Sequence, residues 1–241
     1  MVNPSAGTVV ALRSDMERLL IPFVVSTVAC VPSMPSALLE TTEVLDANRV
    51  AITVGGGGAG IANTSGGATG FAAGEVRLRV GVGGKQELGL DVFGGAGDSP
   101  TAGAAGGRFA YKIGPAPWLA FVATGGAYDL ITQGSAGGTT HTAVFGGDLA
   151  AIVAPPAPPD QIRVYGGLRG SFAIPVFDGS TSATEALTIP VGVSLPLSES
   201  VRFAVEGGFV AAWAEYSAPT LSANITDVGG YGAVGLRFAL Q

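Results

Sequence analysis

Apolar and polar side chains alternate with a period of two along most of this chain. The clearest stretch runs from Glu75 to Phe93. Val76, Leu78, Val80 and Val82 alternate with Glu75, Arg77, Arg79 and Gly81. After Gly83-Gly84-Lys85, Leu88, Leu90 and Val92 alternate with Glu87, Gly89, Asp91 and Phe93. Successive side chains on a strand point to opposite faces, so each run has one apolar face and one charged or small face. The Gly-Gly turn predicts an antiparallel hairpin. Such a hairpin suits two surroundings. Its apolar face can lie on a protein core with the charges in water, or against lipid with the charges lining a lumen.

The same alternation recurs to the C-terminus and predicts ten strands, at about 48–57, 74–83, 86–96, 106–114, 117–127, 140–153, 161–173, 186–196, 200–214 and 229–240. Most are close to the roughly 9–11 residues with which a tilted strand crosses a bilayer. Pro190 and Pro196 contradict a central eighth strand, and a kink or bulge is expected there. The links after even-numbered strands are tight, at 83–85, 114–116, 155–160 and 197–199. Those after odd-numbered strands are longer, at 58–73, 97–105, 128–139, 174–185 and 215–228. Short turns on one side and long loops on the other predict a membrane barrel with both termini on the periplasmic side. The long loops carry Asp98, Asp129, Asp178, Glu185, Glu215 and Asp227 and no Lys or Arg, and are expected to be exposed. Tyr128, Trp213, Tyr216 and Tyr231 are expected near the outer membrane interface, and Tyr111, Trp118 and Phe238 near the inner one.

The charges separate the two surroundings. Arg49, Arg77, Arg79, Arg108, Lys112, Arg163, Arg169, Arg202 and Arg237 all fall on the non-apolar parity, as do Glu75, Glu87, Asp91, Asp148 and Glu206. An Arg or Lys on the lipid face at mid-membrane costs about 2–4 kcal/mol, so a barrel needs its charges on the other face. A water-facing sheet would carry many Lys, but Lys85 and Lys112 are the only two. Arg suits paired, partly buried sites because its planar fork grips a carboxylate with two hydrogen bonds. The expectation is an interior Arg–carboxylate lattice. Nine basic residues against five acidic ones would make any open path narrow and anion-preferring.

Composition agrees. The chain has 241 residues, of which only 12% are charged and 47% hydrophobic, with 39 Gly. Mean hydropathy is +0.46. Yet no apolar run reaches the roughly 20 residues of a spanning helix. Only helices and closed barrels satisfy their backbone in hydrocarbon, which leaves strands. The net charge of −6 argues against nucleic acid. A single Cys excludes an intrachain disulfide.

Residues 1–30 have the parts of a secretory signal, with Met16 a candidate true start: Arg18, a short apolar run, and small residues before a break. Thr27-Val28-Ala29-Cys30 resembles the lipobox of bacterial lipoproteins, which implies acylation of Cys30; Thr27 stands where that motif has Leu. Residues 31–47 read as a polar periplasmic lead-in, and 48–241 as the barrel domain.

The last strand, from Tyr231 to Gln241, resembles the C-terminal signal of bacterial outer-membrane β-barrel proteins, with Gly235, Phe238 and Leu240 at the matching positions and Gln241 in place of a terminal aromatic residue. The resemblance covers residues 48–241 as an architecture and implies insertion by the outer-membrane assembly machinery. It carries no activity.

Other motifs carry less. Gly55, Gly57 and Gly60 match a dinucleotide fingerprint, but that motif requires a helix and the following residues are poor helix formers. No cofactor or metal site is expected; the single His141 has no second ligand near it in sequence. Asn63-Thr64-Ser65 and Asn224-Ile225-Thr226 match a glycosylation pattern by chance. The sequence thus predicts an all-β, ten-stranded antiparallel up-and-down transmembrane barrel, monomeric, with the lipid bilayer as its partner. Three functional readings stay open: a non-enzymatic barrel filled by its own ion pairs, with a structural or surface role; a narrow passive pore; and a rim hydrolase using His141 with Asp129 or Asp227.

Overall fold

The computed structural model describes residues 39–63, 68–97, 102–133, 138–158, 160–177, 180–218 and 221–240. The signal segment with Cys30, and the lead-in as far as residue 38, lie outside them. Ten strands follow one another: β1 (Val50–Asn63), β2 (Ala68–Gly83), β3 (Gln86–Gly97), β4 (Ala102–Ala116), β5 (Leu119–Gln133), β6 (Thr139–Val153), β7 (Arg163–Phe177), β8 (Ser180–Pro196), β9 (Val201–Ala218) and β10 (Leu221–Leu240). Each pairs antiparallel with its neighbours in sequence. β1 closes on β10 from Val50↔Leu240 to Asn63↔Asp227, so the sheet is a barrel without a free edge.

Every strand predicted from the alternation is present, but most reach further, chiefly at the end away from the termini. The expected long loops are therefore mostly strand. Residues 57–62 and 68–73 pair with each other, as do 215–218 and 221–224. The connections left between strands on that side are short, and the longest of all is 154–162 at the end that carries the termini. The predicted short-and-long asymmetry of loops does not hold. Ladder hydrogen bonds need only backbone, so a Gly-, Ala-, Ser- and Thr-rich segment continues a strand where no apolar alternation marks it. Of the expected loop acids, Asp129, Glu185, Glu215 and Asp227 lie on strands, Asp227 is buried on the inner face, and Asp98 and Asp178 lie outside the described residues.

Pro190 and Pro196 cause no shift of register. β8 keeps one register with β9 throughout. On the β7 side the pairing lapses opposite Ile189 and Pro190 and resumes in the same register. A lapse on one side is enough to absorb the missing Pro N–H. The bulges lie elsewhere, at Gly81/Gly83 and Ile113/Ala116, beside two turns. In the first of these turns Gly83 and Gly84 both have positive φ, which glycine adopts without cost.

The large apolar side chains face outward. Phe109 is 74% exposed and Leu149 70%, and Val76, Leu78, Leu88, Leu90, Val92, Phe121, Ile189 and Phe209 are exposed with them. No described helix is long and apolar enough to cross a membrane. Trp118 and Tyr111 lie on the outer surface toward the end that carries the termini, and Trp213 on it toward the other end. Tyr128 and Tyr231 do not belong to an interfacial girdle: both point into the barrel, as described below. Leu90→Arg would place a guanidinium at the middle of β3's lipid face. The expected cost is about 2–4 kcal/mol in urea unfolding from lipid vesicles, whereas Leu90→Met should be near neutral.

Candidate functional site

The inward positions carry the charges. Arg77, Arg79, Glu87, Asp91, Lys112, Glu75 and Glu206 are all buried, Asp91 completely. β2, β3 and β4 hold most of them because their registers place Arg77 opposite Asp91, Asp91 opposite Arg108, and Glu87 opposite Lys112. Opposite charges directly across a ladder attract, so the pairing that builds the wall also builds the lattice.

The lattice is continuous. Arg79 binds Asp91 through one guanidinium nitrogen. Arg108 Nε reaches Asp91 at 3.0 Å, and its Nη1 reaches Asp148 at 3.3 Å. Arg169 completes Asp148 at 2.7 Å, where Thr124 Oγ1 also donates at 2.7 Å. Arg77 is bound to Glu75 at 2.7 Å. The cavity enclosed by Arg77, Arg79, Asp91, Arg108, Asp148 and Arg169 is about 10 Å³, room for about one water.

Residues 39–46 enter this lattice. The segment expected to be a periplasmic lead-in is buried from Leu39 to Thr42 and runs inside the barrel. Glu40 accepts from Arg79 Nε at 2.9 Å and lies 2.8 Å from its Nη2, 3.5 Å from Lys112 and 3.7 Å from Arg77. Burial alone would raise the Glu40 pKa. The Arg79, Lys112 and Arg77 charges outweigh it and hold the carboxyl well below the usual range. Glu43 binds Arg163 at 3.1 Å, and its carbonyl accepts from Lys112 Nζ at 2.7 Å. The Leu45 N–H donates to Glu87, and Thr42 Oγ1 donates to the Pro117 carbonyl at 2.9 Å. At the deep end the Leu39 N–H donates to Glu206 at 2.8 Å. Glu206 also accepts from Tyr165 OH at 2.9 Å and Tyr231 OH at 2.7 Å.

The wall is cut back to receive this strap. A Cβ on Gly81 would lie 2.0 Å from the Asp46 carbonyl, one on Gly114 2.7 Å from Val44, and ones on Gly55 and Gly235 2.6 and 2.8 Å from Leu39. Gly81→Ala should therefore cost about 1–3 kcal/mol through overpacking. Gly125→Ala, where a Cβ would meet nothing, should be neutral or slightly stabilising. Unfolding midpoints of the two variants give the comparison.

Beyond the lattice, toward the end away from the termini, the inner face turns apolar. Phe71, Ala104, Leu130, Val144 and Ala173 cluster with Phe93 and Tyr128. Phe93 meets Tyr128 edge-on at 5.9 Å and lies under the Arg108 guanidinium at 5.6 Å. Among the described residues, the inner face carries a charged layer and an apolar one.

Of the lumen residues read from sequence, Arg49 is exposed at the foot of β1 rather than inside. The remainder lie on the inner face. Sequence reading missed Leu39, Glu40, Glu43, Tyr165 and Tyr231 as site residues. The surplus of nine bases over five acids was the available signal, since buried cations require counter-charges. His141 and Asp129 do meet, Nδ1 to Oδ2 at 2.6 Å, but on the outer face and well exposed. Asp227 is inward and apart from them. Trp213 Nε1 makes a similar outer-surface bond to Glu185 at 2.7 Å. Gly55, Gly57 and Gly60 lie in β1 with no helix after them. Among the described residues no group of three or more His, Cys, Asp or Glu could hold a metal.

A closed antiparallel barrel with an apolar outer face and charges turned inward defines the class: an integral membrane β-barrel. No family model and no curated protein matches the chain. Among solved structures it is similar to an outer membrane channel from Pseudomonas putida F1, with TM-score 0.48 and 11% identity over 83% of this chain and 98% of that one. It is also similar to the β domain of the Bordetella autotransporter BrkA, with TM-score 0.43 and 11% identity over 78% and 98%. The Escherichia coli outer membrane protease OmpT gives TM-score 0.39 and 8% identity over 83% and 100%. None of these lends the chain an activity.

Proposed function

We propose that this protein is a non-enzymatic outer-membrane barrel whose interior is closed by its own ion pairs and strap, serving a structural or surface role in the membrane. One observation carries the reading: Glu40 of the strap and the ion pairs around Asp91 and Asp148 pack together inside the barrel and leave a cavity of only about 10 Å³ among them. The exposed His141–Asp129 pair speaks against the hydrolase, because it points away from the lumen and Asp227 lies on the opposite face. Acylation of Cys30 and insertion through the C-terminal strand belong to the same reading. The full-length protein, refolded into planar bilayers, should show heat-modifiable migration on gels and no steady conductance. A stable open pore in the wild type would refute closure.

A further inference from the structure

We propose that the barrel wall is a conduit for small inorganic anions, of chloride to phosphate size, which residues 39–46 hold shut in cis by lending their carboxylates to its arginines and Lys112. This goes beyond the closed barrel proposed above, since it gives the same lumen a second state.

Charge balance supports it first. Among the described residues, the wall turns eight cations inward: Arg77, Arg79, Arg108, Lys112, Arg163, Arg169, Arg202 and Arg237. It turns six carboxylates inward: Glu75, Glu87, Asp91, Asp148, Glu206 and Asp227. Glu40 and Glu43 of the strap make up the difference of two. Without the strap, Arg79, Lys112 and Arg163 lose a counter-charge and the lumen becomes net positive. A basic, low-dielectric channel concentrates anions.

The mouth supports it independently. Arg202 and Arg237 sit directly opposite each other on β9 and β10, an arrangement that costs stability because like charges face across the ladder. Among the described residues Arg237 makes no ion pair. A cavity of about 80 Å³ lies against both, bounded also by Glu43, Ser198 and Glu199. Glu43 is engaged by Arg163 and Glu199 is exposed on the turn. Arg202 donates to Ser194 Oγ at 2.9 Å and to the Ser194 and Gln161 carbonyls at 3.1 and 3.0 Å, and with Arg237 beside it the mouth presents two positive charges to an entering anion.

The strap is also seated in a way that permits release. Leu39 and Val44 pack against the wall, and the rest of the strap is held by hydrogen bonds and ion pairs rather than by a continuous apolar face. A second cavity, of about 340 Å³, undercuts it beside Lys85, Pro117 and Arg163. Behind it the wall has glycines at 55, 81, 114 and 235, so its departure leaves space that no neighbouring side chain occupies. Deeper in, the inward residues of β8, β9 and β1 include Thr184, Ala186, Val210, Ala212 and Ala59, with Tyr231 packed against Ala186, Val210 and Ala212.

The test is single-channel recording on the full-length protein carrying Glu40→Arg and Glu43→Arg, which repels the strap from the wall. Folding is confirmed by heat-modifiable migration. If that variant does not fold, Glu40→Gln with Glu43→Gln gives the same readout with less perturbation. The expected result is at least a tenfold greater open fraction than wild type. In a potassium chloride gradient the reversal potential should have the sign of anion preference. Adding Arg237→Gln should lower the anion-to-cation permeability ratio at least twofold. Folded variants that stay closed, or that open with cation preference, overturn the proposal. An open wild type overturns both this and the closure proposed above.

Discussion

Asp91→Asn should destabilise the barrel by about 3–5 kcal/mol, the largest effect expected of any single lattice substitution. Asp91 is fully buried between Arg79 and Arg108 and faces Arg77 across the ladder. The amide is nearly the same size, so no cavity forms. What changes is that two guanidiniums lose a shared counter-charge inside a wall that water does not reach. Urea unfolding in lipid vesicles gives the number. A cycle with Arg79→Gln supplies the mechanism: if the lattice is responsible, the double variant should cost less than the sum of the singles. Strict additivity would show that Asp91 acts through packing instead. The same reasoning ranks Asp148→Asn close behind, since Arg108, Arg169 and Thr124 all converge on it.

Glu206→Leu should cost about 3–5 kcal/mol and free the deep end of the strap, because three buried donors lose one acceptor. They are Tyr165 OH, Tyr231 OH and the Leu39 N–H. Tyr231→Phe removes a single donor and should cost about 1 kcal/mol while leaving the strap seated. Limited proteolysis separates the outcomes. Cleavage within residues 39–46 should accelerate in Glu206→Leu and stay at the wild-type rate in Tyr231→Phe. Equal protection in both would mean that Glu40 and Glu43 hold the strap without help from its deep end.

The two faces of the wall obey different rules, which explains why one was readable and the other only in part. On the outside, hydrocarbon accepts any large apolar side chain and rejects charge, so Val76, Leu78, Leu90 and Phe109 announce themselves by type alone. On the inside, a side chain is judged by its partner. Tyr128 and Tyr231 resemble interfacial aromatics by composition, yet one packs on Phe93 and the other donates to Glu206. Asp129 and Asp227 look alike in sequence, but one is exposed and the other buried. The ends of the strands show the same limit. Alternation records contact with hydrocarbon, not the length of the ladder, so the pairing of Gly58 with Ala72, or of Asn224 with Glu215, left no apolar trace.

The sequence by itself determined the strand number, the antiparallel order and which face meets lipid; of the interior charges it placed Arg49 inside wrongly and missed Asp227, Glu40 and Glu43. The first three follow from a period of two and from the cost of placing charge in hydrocarbon, both local properties. Only the tertiary structure decided how the interior is filled. That depends on residues far apart in the chain arriving at one point: Glu40 beside Arg79, Leu39 beside Glu206, Val44 against Gly114. The surplus of inward cations was legible in the sequence, but what balances it was not. Closing the barrel brought residues 39–46 into the lumen to supply two counter-charges.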